Sequence, residues 1–430
     1  MKKINILKKI KNKENILVLL AFIFTFIFLV NKPPIYSPDT YGYLHVNISR
    51  YPVYILFIRG FQFIFGSFFE VMMVSFQLVF SIISISIIYK NCKELLNLNI
   101  WLKTLLFVIL LFPLYPRLYI ANNLVSEGLA YPLYLLLISF IIDFLYRNKS
   151  IKVIHLSITL LILSLTRGQF FFISIIVALL YVLKLKKDTF KKGNVFSLLL
   201  LIIVPFLITI VDSSFKKVVY GYYVKTPYSY VNAITLPLFV SELKDTIDIK
   251  NEDYKKIFIK SYQRIDSLGL LSSKINGTKE EKYQVFHDNF PLICNQNIHD
   301  QGKLYYLNID STPHLNSIKT ELACKAMFPV LVKNHFKEWV IIYFTGMIHG
   351  FFESIVLLFF FLFTLIYGGL ITLRNYTINN SLLFLSSLLI ISNSMIVALA
   401  CHSISRYLFY NYFLGFIIFI LIFKKITSKI

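Results

Sequence analysis

One carboxylate stands in the first polar stretch of this chain. Asp39 lies in Ser37-Pro38-Asp39-Thr40, shortly after the apolar segment 16–30. An ionised carboxylate at the mouth of a membrane-embedded chain is costly unless it is paired or used. Asp39 is therefore the first candidate for acid–base chemistry. The alternative is a turn residue, because Pro-Asp-Thr is good turn chemistry.

Five further ionisable residues lie near the ends of apolar segments: Glu127, Arg117, Arg167, His402 and Arg406. Arginine binds phosphate through a fixed fork of N–H donors, and a carboxylate can take a proton from a hydroxyl. This set predicts a reaction on a substrate whose phosphate lies at the membrane surface. The alternative is that the arginines anchor span ends and that the histidine is an ordinary interfacial one.

The composition indicates what positions these residues. The 430 residues are 57% hydrophobic and 15% charged, and mean hydropathy is +0.68. These values are typical of an all-α polytopic membrane protein. With about 20 apolar residues per span, we predict about ten transmembrane helices, near 15–31, 69–89, 101–119, 127–146, 153–167, 168–184, 195–213, 353–373, 379–400 and 407–423.

The net charge of +22 could indicate a nucleic-acid partner, but its distribution favours topology. With both termini inside, lysines and arginines concentrate in the inner segments. The acidic residues there are Glu14, Glu94, Asp143 and Asp188. This is the positive-inside pattern. We therefore predict a multi-pass protein of a bacterial-type inner membrane, with cytoplasmic termini, an extracytoplasmic active site and no nucleic-acid partner.

Three regions are predicted along the chain. They are an N-terminal transmembrane module, 1–213, whose first outer loop is 32–68; an extracytoplasmic domain, 214–335; and an interfacial helix followed by C-terminal transmembrane helices, 336–430. Residues 50–66 and 336–352 are predicted interfacial helices, because they are apolar yet contain residues such as Arg59 and Glu338. Weak helical periodicity covers 251–272.

Two cysteines, Cys294 and Cys324, fall in the predicted extracytoplasmic domain. An oxidising compartment permits a disulfide between them. Two unpaired, buried cysteines are an equally good interpretation.

The placement of charge favours an enzyme over a transporter. A transporter is expected to keep ionisable residues near the bilayer centre. The predicted mid-membrane positions instead offer amides and hydroxyls, such as Gln77 and Asn393. Charge at one face suits a lipid-linked substrate whose phosphate lies among the headgroups while its tail stays in the membrane.

The first outer loop resembles a family motif. Pro38-Asp39-Thr40-x-x-Tyr43-Leu44, followed by Arg50-Tyr51-Pro52, is similar to the first-loop Asp motif of the C-type (GT-C fold) membrane glycosyltransferases. That family uses polyprenyl-phosphate sugars and includes protein O-mannosyltransferases and the lipid A aminoarabinose transferase. Further matching segments, in chain order, are Ser126-Glu127, Leu165-Thr166-Arg167, a large outer loop, and Ser405-Arg406-Tyr407.

The resemblance implies an inverting transfer from a polyprenyl-phosphate or polyprenyl-diphosphate sugar to a glycan, lipid or protein acceptor of the cell envelope. Asp39 would act as base. Glu127 would bind a divalent cation together with Asp39, or orient a neighbouring Arg or His402. Many members have paired acids where this chain has Asp39-Thr40, so the resemblance leaves a divalent cation to Asp39 and Glu127 rather than to such a pair.

The remaining roles are assigned in the same way. Arg406, Arg167 and Arg117, in that order, would bind the donor phosphate, with His402, Tyr43 and Arg50 in support. The alternatives are a lipid-linked oligosaccharide transporter or flippase, and a polysaccharide polymerase or ligase. A polymerase would be indicated by two large basic outer loops, whereas this chain has one large loop that is nearly neutral.

Overall fold

The structure is a computed structural model that describes residues 2–309 and 312–427, with side chains for 14–309, 312 and 314–426. Within these ranges the chain is helical and contains no β-strand; one isolated parallel bridge joins Ile35 and Asn123. The chain divides into two compact units. Unit 1 comprises the residues up to Asn47 and Pro52–Gly168, and unit 2 comprises Ile48–Tyr51 and the residues from Gln169 onward.

The helices of unit 1 are α1 (Lys2–Val30), α2 (Pro38–Leu44), α3 (Pro52–Phe65), α4 (Phe69–Leu96), α5 (Ile100–Leu111), α6 (Glu127–Tyr146) and α7 (Lys152–Thr166). Helix α6 is the centre of this unit, because 89% of the residues in its apolar stretch are buried. It packs against α4 and α7. A helix that is apolar all round requires such complete cover.

The helices of unit 2 are α8 (Ile173–Leu185), α9 (Lys192–Tyr220), α10 (Ser229–Ala233), α11 (Thr235–Val240), α12 (Glu252–Ser267), α13 (Lys279–Asp288), α14 (Phe290–Ile293), α15 (Asp300–Leu307), α16 (Pro313–Asn334), α17 (Phe336–Gly350), α18 (Ile355–Arg374), α19 (Ile378–Ala400), α20 (Ser405–Leu408) and α21 (Tyr412–Thr427). Helix α19 packs against α18, α21, α17 and α8.

Seven helical segments among the described residues are long and apolar enough to cross a membrane: Pro52–Leu96, Glu127–Tyr146, Gly168–Phe190, Lys192–Tyr220, Ile355–Arg374, Ile378–Ala400 and Ser405–Ile426. The prediction of an all-α polytopic membrane protein is confirmed. Each of these seven segments contains most or all of one predicted span.

The other three predicted spans correspond to shorter apolar helices, Glu14–Val30, Ile100–Leu114 and Lys152–Thr166. Helix α7 has 15 residues, which reach about 22 Å at about 1.5 Å per residue, against a hydrocarbon core of about 30 Å. The count of ten spans therefore stays a prediction.

The segments predicted to lie at the interface are helical. Residues 50–66 contain α3, which ends at Phe65; the next residue, Gly66, has a φ of +54°. The helical run continues through a short 3₁₀ turn into α4. Residues 336–352 form α17, and the periodicity at 251–272 corresponds to the amphipathic α12. Their depth relative to a bilayer stays a prediction.

The large loop 214–335, which was predicted to lie outside, has a hydrophobic core of its own. Buried side chains from Val231 to Leu331 meet there, joined by Ile342 of α17. Helix α10 is capped by Glu321, whose carboxylate accepts the backbone N–H groups of Tyr230 and Val231 at 2.9 and 3.0 Å. Such a core is what lets a loop of this length fold as a domain.

Both cysteines of this loop lie in that core. Cys294 and Cys324 are buried and free. Of the two interpretations that the sequence allowed, the structure has the unpaired one. Burial raises the pKa of each thiol above its ordinary value, so both are neutral, small hydrophobic groups.

Candidate functional site

In unit 1, the loop that carries Asp39 is bound to the segment that leads into α6. The Ile35 N–H donates to the Asn122 carbonyl at 2.8 Å, and the Leu124 N–H donates to the Ile35 carbonyl at 3.0 Å. The Ser37 hydroxyl donates to the Asn123 side-chain oxygen at 2.7 Å. These three bonds fix the start of α2 beside the chain that enters α6.

Asp39 lies in the first turn of α2 and is half-buried. The helix begins with Pro38, whose fixed φ suits this position, and the Ser37 N–H donates to the Thr40 hydroxyl at 3.0 Å. A carboxylate at a helix N-terminus is favoured electrostatically. The Pro-Asp-Thr segment thus begins a short helix rather than forming a β-turn, and the helix holds the candidate base in a defined place.

Glu127 and Arg167 form an ion pair in unit 1. The Arg167 Nη1 lies 2.8 Å from the Glu127 Oε1, and the side chains are only 12% and 1% exposed. Ser126 completes a triangle: its Oγ donates to Glu127 Oε2 at 3.2 Å and accepts from Arg167 Nη1 at 3.2 Å. The carboxylate and a hydroxyl thus hold one end of the guanidinium.

Helix geometry explains why this pair forms. Glu127 opens α6 and Arg167 directly follows α7, so the two residues lie at neighbouring ends of a helical hairpin. An acid at a helix N-terminus and a base at a helix C-terminus each complement the helix dipole. The family resemblance implied that Glu127 binds a cation or orients a neighbouring Arg or His402. The observed ion pair fits the orientation of an arginine. A cation at Glu127 would have to compete with Arg167 for the carboxylate.

Tyr43 belongs to the same region of unit 1. It is buried, and its ring packs edge-on against that of Tyr54, with centroids 4.8 Å apart. The Tyr54 hydroxyl donates to the Gln77 Oε1 at 3.2 Å, and the Gln77 amide donates to the Ala121 carbonyl at 2.8 Å. A side chain larger than hydrogen at position 128 would overlap the Gln77 amide, so Gly128 permits this close approach of α4 and α6.

Gln77 was predicted to lie at mid-membrane, and no contact of Tyr54 was predicted. The available signal was the glutamine itself, because an amide within a long apolar helix must find hydrogen-bond partners. One partner, Ala121, lies just before α6, so Gln77 supports the chain that leads to Glu127.

Three predicted site residues belong to unit 2. Arg50 lies in Ile48–Tyr51, and its carbonyl accepts a hydrogen bond from the buried Lys216 of α9. His402 and Arg406 flank the start of α20, and the Arg406 guanidinium carbon lies 5.9 Å from the centre of the Tyr407 ring. Arg117, in unit 1, is exposed in a turn between α5 and α6 and has a φ of +88°.

A group of buried polar contacts at the end of α9 was not predicted from the sequence. Lys216 is fully buried between the rings of Phe215 and Tyr220, with Nζ 5.4 Å from each centroid. One turn earlier, the Asp212 carboxylate accepts from the backbone and side chain of Thr226 at 2.6 and 2.8 Å. The spacing of four residues was the sequence signal. These contacts fix the return of the chain into the large loop.

His402 lies in a cluster of three imidazoles in unit 2. Its Nδ1–H donates to the His287 carbonyl at 2.9 Å, and the two rings are 4.7 Å apart. The His349 ring lies 4.3 Å from that of His287, and its Nδ1–H donates to the Ser403 carbonyl at 3.1 Å. The cluster borders a cavity of about 360 Å³.

Burial sets the charge of His287 and His402. It lowers the pKa of His287 to about 4, with further contributions from His402 and His349 that outweigh the opposite effect of Asp288. Burial also lowers the pKa of His402. At neutral pH both rings are therefore uncharged hydrogen-bonding groups. Among the described residues, no group of three or more His, Cys, Asp or Glu side chains could hold a metal ion.

Comparison with protein-family models, curated proteins and solved structures returned no match for this chain.

Proposed function

We propose that this chain is an inverting glycosyltransferase of the GT-C type. It would move a sugar from a polyprenyl-phosphate or polyprenyl-diphosphate donor to a cell-envelope acceptor at the outer face of the membrane. The observation that carries the proposal is the convergence, within unit 1, of the loop carrying Asp39 with the chain entering α6, where Glu127 holds Arg167.

In this proposal Asp39 accepts the proton of an acceptor hydroxyl. The hydroxyl oxygen attacks the anomeric carbon, the bond from that carbon to the phosphate oxygen breaks, and its electron pair leaves with the phosphate. Attack opposite the leaving group inverts the anomeric centre. Such a base contributes proton transfer and positioning.

Arg167 would stabilise the charge that develops on the departing phosphate. Glu127 would act as a positioning residue, because its carboxylate fixes one edge of the guanidinium before the donor arrives. A hydrogen-bonding group that is already in position needs no reorganisation in the transition state. Arg406 and Arg117 remain additional candidates for the phosphate.

The test uses the purified full chain in lipid nanodiscs with polyprenyl-phosphate sugars. Comparing the cell-envelope glycans of cells with and without the protein by mass spectrometry first identifies the sugar. Asp39→Asn should lower transfer by about two or more orders of magnitude, on the scale of a lost general base, and leave donor binding largely intact. Arg167→Lys should weaken binding of the lipid-linked sugar, because lysine lacks the planar fork of guanidinium N–H groups.

Matched controls lie in exposed positions. Asp188→Asn removes a carboxylate paired with Lys191 at the surface, and Arg264→Lys changes an exposed arginine of α12. Both should transfer sugar at the wild-type rate. Near wild-type transfer by Asp39→Asn would make that residue a turn former only. Translocation of the lipid-linked sugar without transfer would favour the transporter alternative.

A further inference from the structure

The cavity in unit 2 has a lining unlike that of the unit 1 site. It is bordered by polar groups of His287, His349, Glu353 and Ser403 and by the aromatic rings of Phe352 and Tyr412. Its volume of about 360 Å³ falls in the range of small-ligand sites. The predicted roles of Asp39, Glu127 and the arginines do not use it.

The lining does not favour an anion. It contains no lysine or arginine, and its one carboxylate belongs to Glu353. His287 is neutral because burial lowers its pKa to about 4. Phosphate sites depend on cationic side chains or clustered backbone donors. A neutral ligand therefore suits this cavity better than a phosphorylated one.

Two acceptors face each other at its rim. His349 donates its Nδ1–H to the Ser403 carbonyl, so in the neutral ring Nε2 is an acceptor. That Nε2 lies 3.5 Å from the Glu353 Oε1, which is also an acceptor. The Glu353 carboxylate and, in the neutral ring, the His349 Nε2 can each accept from a ligand O–H group. Two neighbouring hydroxyls on one ligand supply these groups.

An aromatic surface lies beside these acceptors. The Phe352 side chain is 68% exposed, and its ring lies 5.9 Å from that of Tyr412. Phe352 and Glu353 have φ values of +56° and +60°, a conformation that is unfavourable for residues with side chains. The turn between α17 and α18 thus holds an exposed ring and a carboxylate at the rim, at a cost in backbone strain.

One buried polar atom is also unsatisfied. The Nδ1 of His287 is shielded from solvent and has no hydrogen-bond partner within the described part of the chain. Buried polar atoms without partners are rare and call for an explanation. His287 lines the cavity through other atoms, and its shielded Nδ1 is out of reach of a ligand there, so this atom takes no part in the proposed site.

We propose that this cavity binds a neutral sugar ring. The apolar face of the sugar would lie on Phe352 and Tyr412, and its hydroxyls would bond to Glu353, His349 and Ser403. The inference does not rest on the transfer reaction: the cavity would bind sugar whether or not unit 1 catalyses transfer.

The experiment is saturation-transfer-difference NMR on the full chain in nanodiscs. The probes are glucose, galactose, mannose and N-acetylglucosamine, each beside its 1-phosphate. At least one neutral sugar should bind saturably and more tightly than its phosphate. Phe352→Ala should weaken that binding at least tenfold, whereas Phe336→Ala, which removes an exposed ring at the other end of α17, should not change it.

A second variant tests the charge argument. Glu353→Gln should weaken binding of the neutral sugar and reduce the discrimination against its phosphate. The proposal is overturned if no neutral sugar binds saturably, if the phosphates bind more tightly, or if Phe352→Ala binds like Phe336→Ala. Asp39→Asn should bind the neutral sugar normally, so failure of the transfer proposal and failure of this one give different results.

Discussion

Removing either member of the Glu127–Arg167 pair should destabilise the fold strongly. At 2.8 Å the gross attraction is about 6 kcal/mol at an effective dielectric constant of about 20. Desolvation of both groups offsets much of it, so replacement of the whole pair can be nearly neutral. Loss of one partner leaves a buried charge uncompensated and costs about 3–5 kcal/mol.

The measurement is a double-mutant cycle of Glu127→Gln, Arg167→Met and the double variant, with unfolding free energies determined in bicelles. Each single variant should lose about 3 kcal/mol or more, and the double variant should recover much of that loss. The matched control is Lys255–Glu252, which has a similar distance of 2.7 Å but side chains 29% and 69% exposed. Its coupling should not exceed about 1 kcal/mol.

A coupling at Glu127–Arg167 no larger than that of the surface pair would refute the reasoning. The ion pair would then not stabilise the position of the Arg167 guanidinium. Glu127 would lose its assignment as the residue that positions Arg167, although the general base proposed at Asp39 would be unaffected.

Three further outcomes are expected. Gly128→Ala should cost about 1–3 kcal/mol of stability through overpacking against the α4 amide. Gly60→Ala, inside α3 with open space around its added methyl group, should instead raise stability by up to about 1 kcal/mol. Because the pKa of His287 is about 4 in the fold against an ordinary 6.5, the unfolded chain binds more protons between these values. Stability should therefore fall as pH drops from about 6.5 to 4, and His287→Gln should flatten that slope. Labelling of introduced cysteines should place positions near 188 inside the cell, and positions near 270 and 403 outside; an inner location for position 270 would reverse the predicted topology.

Hydropathy was sufficient to predict the class of fold. Long apolar runs must be helical in lipid, because every backbone polar group needs a partner. The count of spans was less certain because helices such as α7 are shorter than a bilayer core. Length alone cannot distinguish a short span from a buried helix.

The candidate site was predictable only in part. Glu127 and Arg167 were each identified, and the helical hairpin that joins them could have suggested their pairing, since a short connection brings the start of α6 near the end of α7. The contacts of Tyr54 with Gln77 depend on which faces of neighbouring helices meet. The imidazole cluster joins positions 287, 349 and 402, which have no common pattern in the sequence. Such long-range contacts follow from packing rather than from local spacing.

The state of the cysteines has a practical consequence for mapping this protein. Cys92, Cys294 and Cys324 are buried, whereas Cys401 is partly exposed. Alkylating reagents attack the accessible thiolate. Replacing Cys401 alone should therefore give a nearly silent background into which single reporter cysteines can be introduced. The three interior thiols can stay, which avoids the cavities that substitutions in a packed core create.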